Sequence, residues 1–98
     1  MLVKVIGTVE EIGQVQQITD KMRKQDIVVR CEQSQYPDYI KCEAVNVTID
    51  KLKQLRVGDY VTLSCFLSGR KVIKKDTGTP MYFTTVKIST IENDSINE

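Results

Sequence analysis

Thr48-Ile49-Asp50-Lys51-Leu52-Lys53-Gln54-Leu55-Arg56-Val57-Gly58-Asp59 is where the chain stops alternating and changes period. Ile49, Leu52 and Leu55 recur every third residue, which predicts a helix of about two turns with one apolar stripe. Thr48 is placed to cap it, and Asp50 sits in the first turn, where the helix dipole favours an acid. Gly58 supplies the positive φ that the closing turn wants. Everywhere else the apolar residues recur at the period of two that marks strands.

Upstream, residues 2–12 read as a strand with Val3, Val5 and Val9 on one face. Gly7 predicts a bulge or sharp bend within it, and Gly13 lets the strand continue, bent, to Ile18. Thr19 to Lys24 reads as a polar loop. Lys24–Gln33 and Asp38–Val47 form a strand pair. With the turn centred on Tyr36-Pro37, Arg30 meets Glu43 and Glu32 meets Lys41 on one face. Cys31 meets Cys42 and Val29 meets Ala44 on the other. Pro37 at the third turn position requires either a cis Tyr36-Pro37 bond or a loop longer than two residues.

Downstream, Tyr60 to Gly69 places Val61, Leu63, Cys65 and Leu67 inward and Tyr60, Thr62, Ser64, Phe66 and Ser68 outward. Arg70 to Thr79 reads as a basic loop ending in turn formers. Met81 to Ile91 is the last strand. Lys87 points it so that Met81, Phe83 and Thr85 face out while Tyr82, Val86 and Ile88 face in. Residues 93–98 read as a flexible polar tail after a domain spanning 1–92.

Three strands, one short helix and two strands, with a glycine-bearing bent first strand, fit an all-β fold: the five-stranded Greek-key OB barrel. The helix lies between strands three and four, its apolar stripe plugging the barrel's open end. An open five-stranded α+β sheet would leave strands this apolar with exposed edges.

Composition narrows function by exclusion. The 98 residues contain no histidine and no tryptophan, and the three cysteines have no C-x-x-C spacing. That removes the Ser-His-Asp and Cys-His triads and the common zinc ligand sets. Cys31, Cys42 and Cys65 read as reduced core residues. With no glycine-rich phosphate loop and no nucleophile elbow, the chain reads as a non-catalytic binding protein needing no cofactor and no metal. No apolar run has membrane-spanning length and no signal peptide is evident, so the expectation is a cytoplasmic protein. Net charge is +1, but three of the thirteen acids fall in the last seven residues; the rest carries 14 basic against 10 acidic groups, net +4. That is compatible with a polyanionic partner.

Gly7-Thr8-Val9, the run Leu52 to Val61, Leu67-Ser68-Gly69-Arg70 and Met81-Tyr82-Phe83-Thr84-Thr85-Val86-Lys87-Ile88 together resemble the bacterial and phage single-stranded-DNA-binding proteins. They also resemble a group of small uncharacterised OB-fold proteins allied to them, and Gln35-Tyr36-Pro37 resembles the second hairpin of that group. The likeness spans roughly residues 3–91. It implies an OB barrel that binds single-stranded DNA with little sequence preference. The chain departs from the family in having Ala44, Val45 and Asn46 where a tryptophan is usual. Its tail also lacks the family's hydrophobic tip.

Single-strand binding needs a cationic groove for phosphates and flat side chains for bases. In OB barrels these come from strands two and three and from the loops joining strands 1–2 and 4–5. The first loop offers Lys21, Arg23 and Lys24; the second offers Arg70, Lys71, Lys74 and Lys75. Tyr39, Phe66 and Phe83 are the outward aromatics. Tyr60 points out near the helix end, where packing is its expected role. Arg30, Glu32, Lys41 and Glu43 are set aside as mutually neutralised pairs. Single-stranded RNA is a variant of the same ligand class. The contrasting expectation is a protein-interaction or assembly module using an exposed strand edge. A homo-oligomer is expected under either.

Overall fold

The computed structural model describes residues 1–94. It contains β1 (Leu2–Ile12), β2 (Gln16–Thr19), β3 (Met22–Cys31), β4 (Asp38–Val45), α1 (Thr48–Leu52), β5 (Tyr60–Ile73) and β6 (Pro80–Asn93). The strands lie in the order β1-β5-β6-β4-β3, and β1 also pairs with β3, closing the ring. Every pairing is antiparallel except β4–β6, joined at Glu43 and Lys87. This is the five-stranded OB topology, with α1 between the third and fourth ring strands. The sixth strand, β2, pairs only with β3. It is separate because Gly13 breaks the first strand: its N–H donates to the Asp26 carbonyl, 2.8 Å, and its own carbonyl accepts from Gln25 Nε2, 2.8 Å.

Closure turns on β1, which hands over from one neighbour to the other at Thr8. There it pairs with Tyr60 of β5 on one side and Arg30 of β3 on the other. The sequence placed a bulge at Gly7; the irregularity lies two residues on, between Val9 and Glu11. Gly7 serves close approach instead. A Cβ there would stand 2.2 Å from the Arg30 carbonyl oxygen.

The core is Val5, Val9, Ile27, Val29, Cys42, Ala44, Val61, Leu63, Cys65 and Ile88, closed at one end by Ile49, Leu52 and Leu55. The last three are buried as the three-residue period predicts. The helix itself is shorter than expected, five residues, and Thr48 is not its cap: Val47 holds that position with no side-chain hydrogen bond. Lys51 Nζ donates to the Ser89 carbonyl at 3.3 Å and pins α1 to β6. Gly58 has φ +99° as expected, whereas Asn46 at φ +52° was not foreseen.

The β3–β4 pair forms, but in a different register. Ile27 faces Cys42, Asp26 faces Glu43, Val28 faces Lys41 and Arg30 faces Tyr39. Pairing stops at Cys31–Asp38, leaving a six-residue loop whose Tyr36-Pro37 bond is trans. Cys31 therefore meets Asp38 rather than Cys42, and is half-buried. The slip is an even number of residues, so the inward set is unchanged while every partner differs. Arg30 instead pairs with Glu10 at 2.8 Å and contacts Glu32 at 2.6 Å.

Both hairpins are more ordered than their sequences suggested. The expected loop 19–24 is a two-residue turn at Asp20-Lys21, with Arg23 and Lys24 already on β3. The expected loop 70–79 is mostly strand: β5 and β6 stay paired to Ile73–Pro80, leaving only residues 74–79 as the turn. This two-stranded arm projects from the ring, and Tyr82 on it is 70% exposed rather than inward. The radius of gyration, 15.1 Å, exceeds the roughly 13 Å usual for this length, as a protruding arm requires. The segment expected to fray from residue 93 begins inside β6. There Asn93 Nδ2 donates to Asp59 at 2.9 Å and Thr62 donates to Asp94 at 3.0 Å. Residues 95–98 lie outside the described residues. Among the described residues no helix is long and apolar enough to cross a membrane.

Candidate nucleic-acid interface

Alternation sends one side chain in two to the outside of the ring, and the registers align those outward residues in rows. One row crosses four strands: Phe66 on β5, Lys87 on β6, Glu43 on β4 and Asp26 on β3. Along β5 and β6 the same outward face continues through Ser68 and Thr85 to the cross-strand pair Arg70 and Phe83. Met81, Phe83, Thr85 and Lys87 share this face, as their alternation requires. Because the sheet coils, the face is concave, and the β2–β3 hairpin and the arm form its two banks.

The result is an open groove of about 650 Å³. The hairpin bank supplies Ile18, Met22 and Lys24; β3 and β4 supply Asp26, Lys41 and Glu43 as the floor. The arm bank supplies Ser68 to Arg70 and Phe83 to Lys87. Four cations thus face two carboxylates. Lys24 leans on Glu43 at 3.8 Å. Among the described residues Lys41, Arg70 and Lys87 have no carboxylate within 4.0 Å, the limit for an ion pair. The Arg70 guanidinium stands 5.6 Å from the Phe83 ring centre, a cation–π contact that fixes a charge beside a flat apolar face.

Of the expected site residues, the groove collects Lys24, Arg70 and Phe83. Phe66 lines an adjoining depression that shares Glu43 and Lys87 with the groove. Lys21 sits at the exposed β2–β3 turn and Arg23 one residue before Lys24; neither lines the groove. Lys71 faces Tyr82 on the other side of the arm, and Lys74 and Lys75 occupy its tip. Tyr39 is exposed on the outward face beside Arg30, outside the groove lining. Lys41 and Lys87, which the sequence reading passed over, line it. Lys41 was set aside because of a pairing with Glu32 that the true register does not make.

Among the described residues no cluster of three or more Cys, Asp or Glu could hold a metal. Cys42 and Cys65 are free thiols buried in the core, away from the groove. A hydrogen bond with the Cys65 thiol, together with burial, pushes the Cys42 thiol well above its ordinary range.

Residues 4–92 match a family described only as a domain of unknown function (DUF3127). No curated protein matches the chain by sequence. By structure it is similar to the mitochondrial single-stranded DNA binding protein Rim1 of Saccharomyces cerevisiae. One crystal form superposes with a TM-score of 0.76 at 10% identity, covering 97% of this chain and 96% of that one. A second form gives 0.74 at 11% identity, covering 97% and 95%.

Proposed function

The chain belongs to the DUF3127 family, whose description carries no activity, and we propose that it is a non-catalytic module binding single-stranded DNA along the groove between the β2–β3 hairpin and the β5–β6 arm. The observation that supports this best is the conjunction of Phe83, Arg70 and two further cations without carboxylate partners, Lys41 and Lys87, in one open cleft. Phosphates engage the cations and a base stacks on the ring; such stacking contributes about 1–3 kcal/mol per base. The cleft lies on the face and between the hairpins that OB barrels use for oligonucleotides. Single-stranded RNA offers the same phosphates and flat bases and is the nearest variant.

The test is fluorescence anisotropy with a thirty-nucleotide single strand of mixed sequence at low salt, beside the same sequence as duplex. Micromolar or tighter binding of the single strand, weaker for duplex, is the expected result. No binding of DNA or RNA would overturn the reading.

One observation favours an assembly module instead. Leu2 and Phe66 face each other across β1 and β5, 63% and 50% exposed, beside the outer edge of β1 that pairs with β3 only from Thr8 onward. An oligomer by light scattering that binds neither nucleic acid would select it. An oligomer that does bind would make this patch its subunit contact.

A further inference from the structure

We propose that the groove distinguishes bases, preferring cytosine to thymine, because its floor presents the carboxylates of Asp26 and Glu43 to the base edge. This rests on the groove being the single-strand site and adds to it the feature that sets base preference.

Asp26 and Glu43 lie directly opposite each other on β3 and β4. Like charges in that position destabilise a sheet. The protein relieves only one of them, through Lys24 at 3.8 Å from Glu43. Among the described residues Asp26 has no ion pair. Its Oδ1 is covered by the protein and has no hydrogen-bond partner, while the residue itself lines the groove. A carboxylate in that state gains from any N–H brought to its open side, because charge-assisted hydrogen bonds are the strong ones. Phosphates are repelled from the same spot. The backbone therefore follows the cations of the banks, and the floor is left to the bases.

Cytosine and thymine separate cleanly on such a floor. They are pyrimidines of one size and stack alike on Phe83. Cytosine presents an amino group at C4, which Asp and Glu accept from; thymine presents a carbonyl oxygen there, an acceptor facing an acceptor. The cationic and aromatic parts of the groove bind either base, and only Asp26 and Glu43 tell them apart.

Fifteen-nucleotide oligo-dC and oligo-dT, titrated at low salt and mildly alkaline pH against the native chain, Asp26→Asn and Glu43→Gln, test this. The native chain should bind oligo-dC at least roughly fivefold more tightly, the lower end of what one good base contact gives. Asp26→Asn, whose amide can donate to the thymine oxygen, should bring the two within about twofold by strengthening oligo-dT. Glu43→Gln should narrow the gap in the same direction, and serves alone should Asp26→Asn fail to fold. Equal binding by the native chain, a thymine preference, or a cytosine preference surviving in the folded variants would overturn the proposal while leaving the groove as a binding site. Binding of neither oligonucleotide would overturn both.

Discussion

A methyl group added at Gly7 would lie 2.2 Å from the carbonyl oxygen of Arg30 and 3.0 Å from Val29. The first obstacle is backbone held in a sheet on both sides, so it cannot swing away as a side chain would. Gly7→Ala should lower stability by roughly 3 kcal/mol, the upper range for overpacking. A chemical-denaturation midpoint measures it, and an unchanged midpoint would show that β1 and β3 are looser than described. The buried thiols make a second prediction, on pH. Cys42 is held up by its hydrogen bond with Cys65 and by burial; Cys31 is held up by burial and by the Asp38 charge. An unfolded cysteine ionises near pH 8.5. Below that, folded and unfolded states carry the same protons and stability is flat. Above it the unfolded state releases protons that the folded state retains, so stability falls as pH rises, by at most about 1.4 kcal/mol per pH unit for each such thiol. Cys42→Ala should shallow that decline in alkaline melts while leaving neutral behaviour to its packing alone.

At the scale of elements, the β5–β6 arm separates binding from stability. Residues 69–80 are all exposed and none belongs to the core. Phe83→Ala should therefore weaken single-strand binding by roughly 5- to 100-fold, the span of one lost stacking contact, with little change in melting temperature. Loss of both together would mean that Phe83 is a packing residue. The arm also shows where pattern ran out. Alternation from Tyr60 to Ile73 is continuous, but Arg70, Lys71, Lys74 and Lys75 made the second half read as loop, because cations on an isolated ribbon have no buried face to reveal a strand. Tyr82 was placed inward for the same reason: on the arm there is no inside. The β3–β4 register failed differently. Exposed charge pairs contribute only tenths of a kcal/mol, and a four-residue slip keeps Ile27, Val29, Cys42 and Ala44 inward, so charge had to choose between registers that burial ranks equally, and it could not. What burial does control was legible: the ring strands, Ile49, Leu52 and Leu55 as the plug, and the outward face carrying Phe83 and Lys87.

The whole molecule brings together what is distant in sequence. Lys24 and Arg70 line one groove because β3 and β5 sit on either side of β4 and β6 in the closed ring. The tip lysines, which dominate the sequence's basic clusters, project beyond it. That division can be measured through salt, since each phosphate neutralised on a single strand contributes about −0.7 to the slope of log K against log salt. Replacing Lys41, Arg70 and Lys87 together by Ala should flatten the slope by about 2 and weaken binding at low salt. None of the three is in the core, so the fold should persist. Replacing Lys71, Lys74 and Lys75 removes the same formal charge from the outer side and tip of the arm. If phosphates run through the groove, this second set should leave the slope within about 0.7 of native, one contact or fewer. The opposite outcome, a slope set by the tip and indifferent to the groove, would move the path of the strand onto the outside of the arm. The floor residues would then have no base to read.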